Sequence, residues 1–310
     1  MGSAAGPTPR ARNTRNFKPF SRKMEVEVLL DLRTAAWRDR RRNFSPGLRR
    51  FARSEICMPN ILITNDDGIH APGLRALVDA VKDLATVTVV APLHERSASA
   101  QSLTLRQPIY CDHIAEREYA VDGTPADAMI LAFHTLLQDK PDLVISGINR
   151  GGNMGENVYY SGTVGAAMEA AINRVPAIAV SVSYRSKDFD FAPAARFTRV
   201  LAPLILKEGL PTGVLLNVNI PQPWNGEVRF TRQSSKITRN LLKPGTDPRG
   251  RRYYWLHEQQ LIEGIEPDTD MAAIRDGAIS ITPLELDHTH SASLNHLSHW
   301  TKLLESLAKP

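Results

Sequence analysis

From residue 59 onward the apolar positions of this chain switch repeatedly between short unbroken runs and a helical spacing. Ile61, Leu62 and Ile63 form a run that stops at Asn65, Asp66, Asp67 and Gly68, the pattern of a short buried strand opening into a turn. Behind Pro72, a residue suited to the first helical position, Leu74, Leu77, Val78, Val81 and Leu84 recur along one helix face. Residues 86–90 are β-branched and apolar again and end at Ala91 and Pro92. Strand, helix and strand with links this short make a right-handed parallel unit, so the pattern predicts an α/β fold on a mainly parallel sheet.

The same alternation carries on downstream. Residues 109–111 and 119–121 are read as an excursion hairpin. Thr124, Pro125 and Asp127 supply a cap, a first-turn proline and an acid three residues after the cap, which predicts a helix reaching about Gln138, with His134 packed on it rather than ligating. Further strands are predicted over 143–146, 177–182 and 214–220, a helix from about Gly162, and another over 193–206 bent at Pro203. Beyond Pro221 the period weakens: 228–231, 253–256 and 279–282 look like strands, separated by long polar loops that include the basic stretch 243–252. Loops of that length are unusual in a compact monomer, so the chain from about residue 221 is read as an arm that packs on another subunit. His288, His290, His296 and His299 have no carboxylate spacing beside them and are read as a solvated tail.

Composition adds a boundary. With 310 residues and 42% apolar content the chain can bury a sizeable core, and its net charge of +5 would suit nucleic acid if it were spread along the chain. It is not: residues 1–57 hold 14 of the 38 basic and 5 of the 33 acidic residues, which leaves 24 basic and 28 acidic residues in 58–310. The leading stretch is read as a disordered basic extension with one short helix over 24–42, a dispensable arm or a mis-assigned start ahead of Met58. A nucleic-acid-binding arm is the alternative. Two cysteines, Cys57 and Cys111, argue against a disulfide framework, and neither a run of about 20 apolar residues nor a secretory signal is recognisable. A cytoplasmic protein without a membrane partner is expected.

Candidate chemistry gathers at three places. Neighbouring strand residues face opposite ways, so Asp66 and Asp67 converge only where the chain has left its strand. There, at the strand end where open α/β sheets place ligands, they suit a hard divalent cation such as Mg²⁺ or Mn²⁺; the same residues also suit a solvated turn. The loop 94–105 is rich in hydroxyls, with Ser97, Ser99, Ser102 and Thr104, and is either a ligand loop or a connector. Residues 147–157 contain four glycines and three asparagines, an entropic cost that makes sense where backbone lies close against a ligand. The following helix, with Ser161 as cap and Thr163 just inside, offers N–H groups and hydroxyls to an anion. The spacing matches neither G-x-G-x-x-G nor G-x-x-x-x-G-K-[ST].

Six stretches together resemble the SurE family of stationary-phase survival proteins, which act as metal-dependent nucleotidases. They are Asn65-Asp-Asp-Gly-Ile-His-Ala-Pro-Gly73, Ala91-Pro with Arg96-Ser97, Val121-Asp-Gly-Thr-Pro-Ala-Asp127, Ser146-Gly-Ile-Asn-Arg-Gly151, Tyr160-Ser-Gly-Thr-Val-Gly-Ala-Ala167 and Ile281-Thr-Pro-Leu-Glu-Leu-Asp287. The resemblance implies a Rossmann-like three-layer α/β fold over 58–310, forming a homodimer or homotetramer by exchange of a carboxyl-terminal arm. It implies that Asp66, Asp67, Ser97 and Asn149 ligate one divalent cation per subunit, and that Asn153 and Ser161 sit beside the substrate phosphate with Gly162 and Thr163 next to them. Asp66, Asp67, Asn153 and Ser161 become the expected catalytic set, with Arg96 and Arg150 as candidates for additional charge. Ala98 departs from the family, which commonly has glycine there, and is expected to stiffen the loop and alter cation affinity.

The implied activity is hydrolysis of nucleoside 5′-monophosphates, with 3′-monophosphates and short polyphosphate as further substrates, by water activated on the cation. An aspartyl-phosphate route through Asp66 or Asp67 is the rival. Haloacid-dehalogenase-type phosphatases carry carboxylates two residues apart, whereas these two are adjacent, which favours direct attack by water. A non-catalytic nucleotide- or nucleic-acid-binding protein is the alternative from another class.

Overall fold

The computed structural model describes residues 58–184, 189–235, 238–260 and 265–307. The basic extension 1–57 and the helix expected within it lie outside the described residues.

The predicted strand–helix–strand unit forms as β1 (Asn60–Thr64), α1 (Pro72–Val81) and β2 (Thr86–Pro92), with β1 and β2 parallel. The hairpin predicted next is β3 (Tyr110–Ala115) and β4 (Glu118–Asp122), and β4 also pairs parallel with β2, so the hairpin widens the sheet rather than standing off it. α2 (Pro125–Leu131) starts in the expected capping box: the Thr124 hydroxyl accepts from the Asp127 N–H at 3.0 Å, and the Asp127 carboxylate accepts from the Thr124 N–H at 2.8 Å. A single π-helical turn, Ala132–Leu136, continues it. His134 is exposed on that turn, so the expectation that it packs is corrected: the looser turn carries the ring outward, toward the charge of Glu169.

β5 (Leu143–Arg150), β6 (Ala177–Tyr184), β7 (Val214–Gln222), β11 (Ile279–Glu285) and β8 (Val228–Phe230) complete a sheet with strand order β3-β4-β2-β1-β5-β6-β7-β11-β8. Every pairing from β4 through β7 is parallel, and β3 on β4 and β11 on β7 are antiparallel. α3 (Gly162–Ile172) and α4 (Ala192–Glu208) are the two long crossover helices, and α4 runs unbroken through Pro203. The layers follow from the period of two in β1: Ile61 and Ile63 join α1 and α4 on one face, while Leu62 joins α2 and α3 on the other. Each of these three side chains is essentially sealed from solvent, worth about 1.5–3 kcal/mol apiece.

That alternation breaks once, in β5. Ile145 and Ile148 are three residues apart yet both belong to the α1–α4 face, and the β5–β6 register shifts between Ser146 and Asn149. One extra residue at Gly147 changes the phase of the strand before it reaches Asn149.

After β8 the strands predicted over 253–256 and 279–282 form, within Arg252–Gln260 and β11, but one of the polar loops expected around them does not. The basic stretch expected to be a loop is the end of a long hairpin, β9 (Thr238–Thr246) with β10 (Arg252–Gln260), turned at Asp247, whose carboxylate accepts from the Arg249 and Arg251 N–H groups at 2.8 and 2.9 Å. Pro244 and Gly245 hide the strand in the sequence, but a two-stranded ribbon is all edge and tolerates a missing N–H. α5 (Asp270–Arg275) precedes β11, and two short helices, α6 (Ser291–Leu297) and α7 (Trp300–Leu307), occupy the region expected to be a tail. None of the described helices is long and apolar enough to cross a membrane.

Candidate metal and phosphate site

From β1 the sheet grows through β2 on one side and β5 on the other, so a crevice opens beyond the carboxyl ends of β1 and β5, the usual ligand position in such sheets. Asp66, Asp67, Ser97, Asn149, Asn153 and Ser161 all line one cleft there, of about 820 Å³. The three separated loops predicted to carry chemistry are therefore brought together.

The turn after β1 is closed by the Asn65 side-chain amide donating to the Gly68 carbonyl at 3.0 Å. Asp66 is 4% exposed, and its carboxylate accepts a hydrogen bond from the Thr163 hydroxyl at the start of α3. Asp67 accepts from the Arg150 backbone N–H at 3.3 Å, a bond across from β5. The serine loop is held to the same turn by the Arg96 N–H donating to the Asp66 carbonyl at 2.7 Å, and to the turn just before α3 by the Ala100 N–H donating to the Tyr160 carbonyl at 3.1 Å.

Gly162 is where these parts touch. A Cβ there would stand 2.7 Å from the Ser99 hydroxyl and 2.8 Å from the Asp66 Cβ, so only glycine lets the helix start lie against the carboxylate. Gly162 and Thr163 consequently stand behind Asp66, and neither lines the cleft. Ser161 does line it. Its hydroxyl caps α3 by accepting from the Val164 N–H at 3.1 Å, which leaves its own hydrogen free to donate.

Asn153 is fixed from the far side by a buried amide cluster. Its side-chain amide donates to the Ser181 hydroxyl at 2.9 Å, its N–H donates to Asn219 at 2.8 Å, and its carbonyl accepts from Asn217 and Asn219 at 2.8 and 3.0 Å. The sequence reading missed Asn217 and Asn219, although two asparagines at alternate positions of the apolar strand 214–220 mark one polar face at its carboxyl end. It also missed Glu95, Tyr160, Phe189 and Phe191 on the cleft wall, whose loops carry no period.

The electrostatics fit a cation. Burial raises the Asp66 carboxyl above its usual range against the opposing hydrogen bond from Thr163. Burial first, and then the Asp66 charge beside it, push Asp67 up to about 6. Neither basic candidate is ion-paired with the two carboxylates: Arg96 is bound to Asp122 at 2.9 Å, and the Arg150 guanidinium lies 4.3 Å from the centre of the Phe189 ring, its charge offsetting only part of the rise at Asp67. The Asn149 amide nitrogen donates to the Gly151 carbonyl at 2.8 Å, which leaves its oxygen available to a cation, and Ser97 donates to Glu95 at 2.7 Å with oxygen lone pairs to spare. Two carboxylates, an amide and a hydroxyl make an all-oxygen set suited to Mg²⁺ or Mn²⁺ rather than to zinc.

Comparison with known proteins places the chain in a family. The sequence profile of the family described as "Survival protein SurE" matches residues 61–240. The chain belongs to the SurE family. A protein of Geobacter sulfurreducens named "5'-nucleotidase SurE" is 46% identical over 245 residues, covering 78% of this chain and 93% of its own length. A protein of the same name from Geobacter metallireducens is 45% identical and covers 77% of this chain and 96% of its own. Among solved structures, the SurE protein of Aquifex aeolicus superposes with a TM-score of 0.70 at 37% identity, over 78% of this chain and 99% of its own. The SurE match takes in all eight residues singled out for metal and phosphate.

Proposed function

We propose that this chain is a divalent-cation-dependent phosphomonoesterase that hydrolyses nucleoside 5′-monophosphates, with 3′-monophosphates and short polyphosphate as further substrates. What carries the reading is one cleft lined by Asp66, Asp67, Ser97, Asn149, Asn153 and Ser161, in a chain of the SurE family whose similar relatives are named 5′-nucleotidases.

Asp66, Asp67, Ser97 and Asn149 would hold one Mg²⁺ or Mn²⁺. When bound, such a cation supplies positive charge to a phosphoryl oxygen and makes water more acidic. The protein does the rest by position. The free N–H groups at the start of α3, eleven residues long with its amino end toward the cleft, favour an anion at the Ser161 end. The Ser161 hydroxyl and the second amide hydrogen of Asn153 are available to phosphoryl oxygens, and the cluster around Asn153 keeps that donor from turning. Thr163 orients Asp66 rather than meeting substrate.

A homodimer or homotetramer built through the β9–β10 arm belongs to the same reading, on the strength of the exposed Leu242, Trp255 and Leu256. So does a cytoplasmic location. The test is a phosphate-release screen over nucleoside monophosphates with several cations. Release that stops with EDTA and in Asp67→Asn is the expected result; salt-sensitive nucleotide binding that survives both, with no phosphate released, would turn the assignment to a binding protein.

A further inference from the structure

Three flat groups occupy the wall of the cleft that the proposed chemistry leaves unused. The Arg150 guanidinium lies 4.3 Å from the centre of the Phe189 ring, within cation–π range. Phe189 and Phe191 are stacked in turn, with centroids 6.1 Å apart and planes 14° from parallel. All three line the same cleft as Asp66 and Asp67. Phe191 is anchored at the start of α1, since a Cβ added to Gly73 would come within 3.1 Å of its ring. Arg150 follows Asn149 directly on β5, so the layer begins one residue from a proposed cation ligand.

The chemistry of the layer is specific. An arginine pressed onto an aromatic ring has one guanidinium face covered and one face left, and Arg150 is exposed while Phe189 is half-buried. Such a face accepts a heteroaromatic ring by stacking, as aromatic and guanidinium planes do for unpaired bases in nucleic-acid recognition. A phosphate would need only the charge of Arg150, and a lysine would supply that equally well. The planar stack is what a nucleobase requires.

The geometry points to the Arg150–Phe189 layer as the nucleobase platform of this cleft: the base stacks on the outer guanidinium face while its 5′-phosphate reaches the start of α3. This deepens the nucleotidase reading and rests on it for the phosphate end. Stacking reads the π-face and not the base edges, so all bases are accepted, with the larger purines ahead of pyrimidines.

The experiment is equilibrium binding of adenosine, with ribose as the control, to the full chain as wild type, Phe189→Ala, Phe189→Trp and Arg150→Lys. Competition by both probes against AMP hydrolysis runs in parallel. Adenosine binding is expected to weaken about tenfold or more in Phe189→Ala and in Arg150→Lys and to hold in Phe189→Trp. The loss of kcat/KM on AMP is expected to exceed the loss on ribose 5-phosphate by a similar factor. Arg150→Lys keeps charge and backbone, so it remains informative if Phe189→Ala disturbs its loop. Unchanged adenosine binding in both variants overturns the platform, as does an equal loss on AMP and ribose 5-phosphate, which would make Arg150 a phosphate contact. Absence of EDTA-sensitive phosphate release, with adenosine binding still dependent on Phe189, removes the nucleotidase reading and leaves the platform standing.

Discussion

β1 and β10 are both rich in large apolar side chains, yet Ile61, Leu62 and Ile63 are at most 1% exposed while Trp255 and Leu256 are 68% and 63% exposed. The first strand is flanked by parallel neighbours and covered by helices on both faces; the second has β9 as its partner. A single chain thus satisfies its own hydrophobic pattern around the cleft and leaves it unsatisfied along the arm. The difference sets the proposed chemistry within one subunit apart from an exposed ribbon on which the proposed second subunit would pack.

Four changes, one of them read in two ways, would break or sharpen that contrast. The largest effect belongs to the cleft: Asp67→Asn should lower EDTA-sensitive phosphate release about a thousandfold, near 4 kcal/mol, with circular dichroism unchanged. On the arm, Trp255→Glu with Leu256→Asp should weaken self-association by about 2–4 kcal/mol. Light scattering that finds the unmutated chain monomeric would end the arm reading. Gly162→Ala forces its new Cβ toward Asp66 and should cost about 1–3 kcal/mol of stability, together with most of the cation affinity. Chemical denaturation and a cation titration read the two losses separately.

Smaller effects concern charge and backbone. Asp67 is raised to about 6 in the folded protein, so between its ordinary value and 6 the folded state holds a proton that the unfolded state has released. Its contribution to stability therefore falls as pH rises through that window, and cation binding strengthens over the same range. Without cation, Asp67→Asn should exceed wild type by about 1 kcal/mol at pH 7, the full shift being discounted for solvent screening, and should match it near pH 4. Urea titrations in EDTA at the two pH values measure this. Smallest is Ala98→Gly: Ala98 holds φ +57°, a conformation that costs a side-chain-bearing residue about 1 kcal/mol. Relief of about 0.5 kcal/mol should remain after the added entropy of glycine. A loss of stability would show that the serine loop depends on the alanine.

The contrast also marks where the chain could be read without coordinates. Around the cleft each local signal agrees with its neighbours: the run 61–63, the Thr124–Asp127 capping box and the glycines of 147–155 all point to one parallel sheet with a ligand at its carboxyl edge. Those signals single out Asp66, Asp67 and Ser161; Ser97, Asn149 and Asn153 were nameable through the family resemblance, and all six share a cleft. Thr163 was nameable but not its task, because a hydroxyl beside a helix cap suits either substrate or a neighbouring carboxylate until Gly162 is seen to bring Asp66 within reach. β9 escaped because Pro244 and Gly245 erase the strand signal in a ribbon whose partner supplies the order. Phe189 and Phe191 escaped because stacking is a property of three dimensions.

The register shift in β5 carries a consequence for anyone altering this protein. Asn149 reaches the cleft because the strand counts one residue more than its neighbour between Ser146 and that position. Deleting Gly147, or doubling it, would preserve every side chain of the donor set while swapping inside for outside along the last three residues of the strand. A single-codon slip there would displace Asn149 without altering any residue of the proposed donor set.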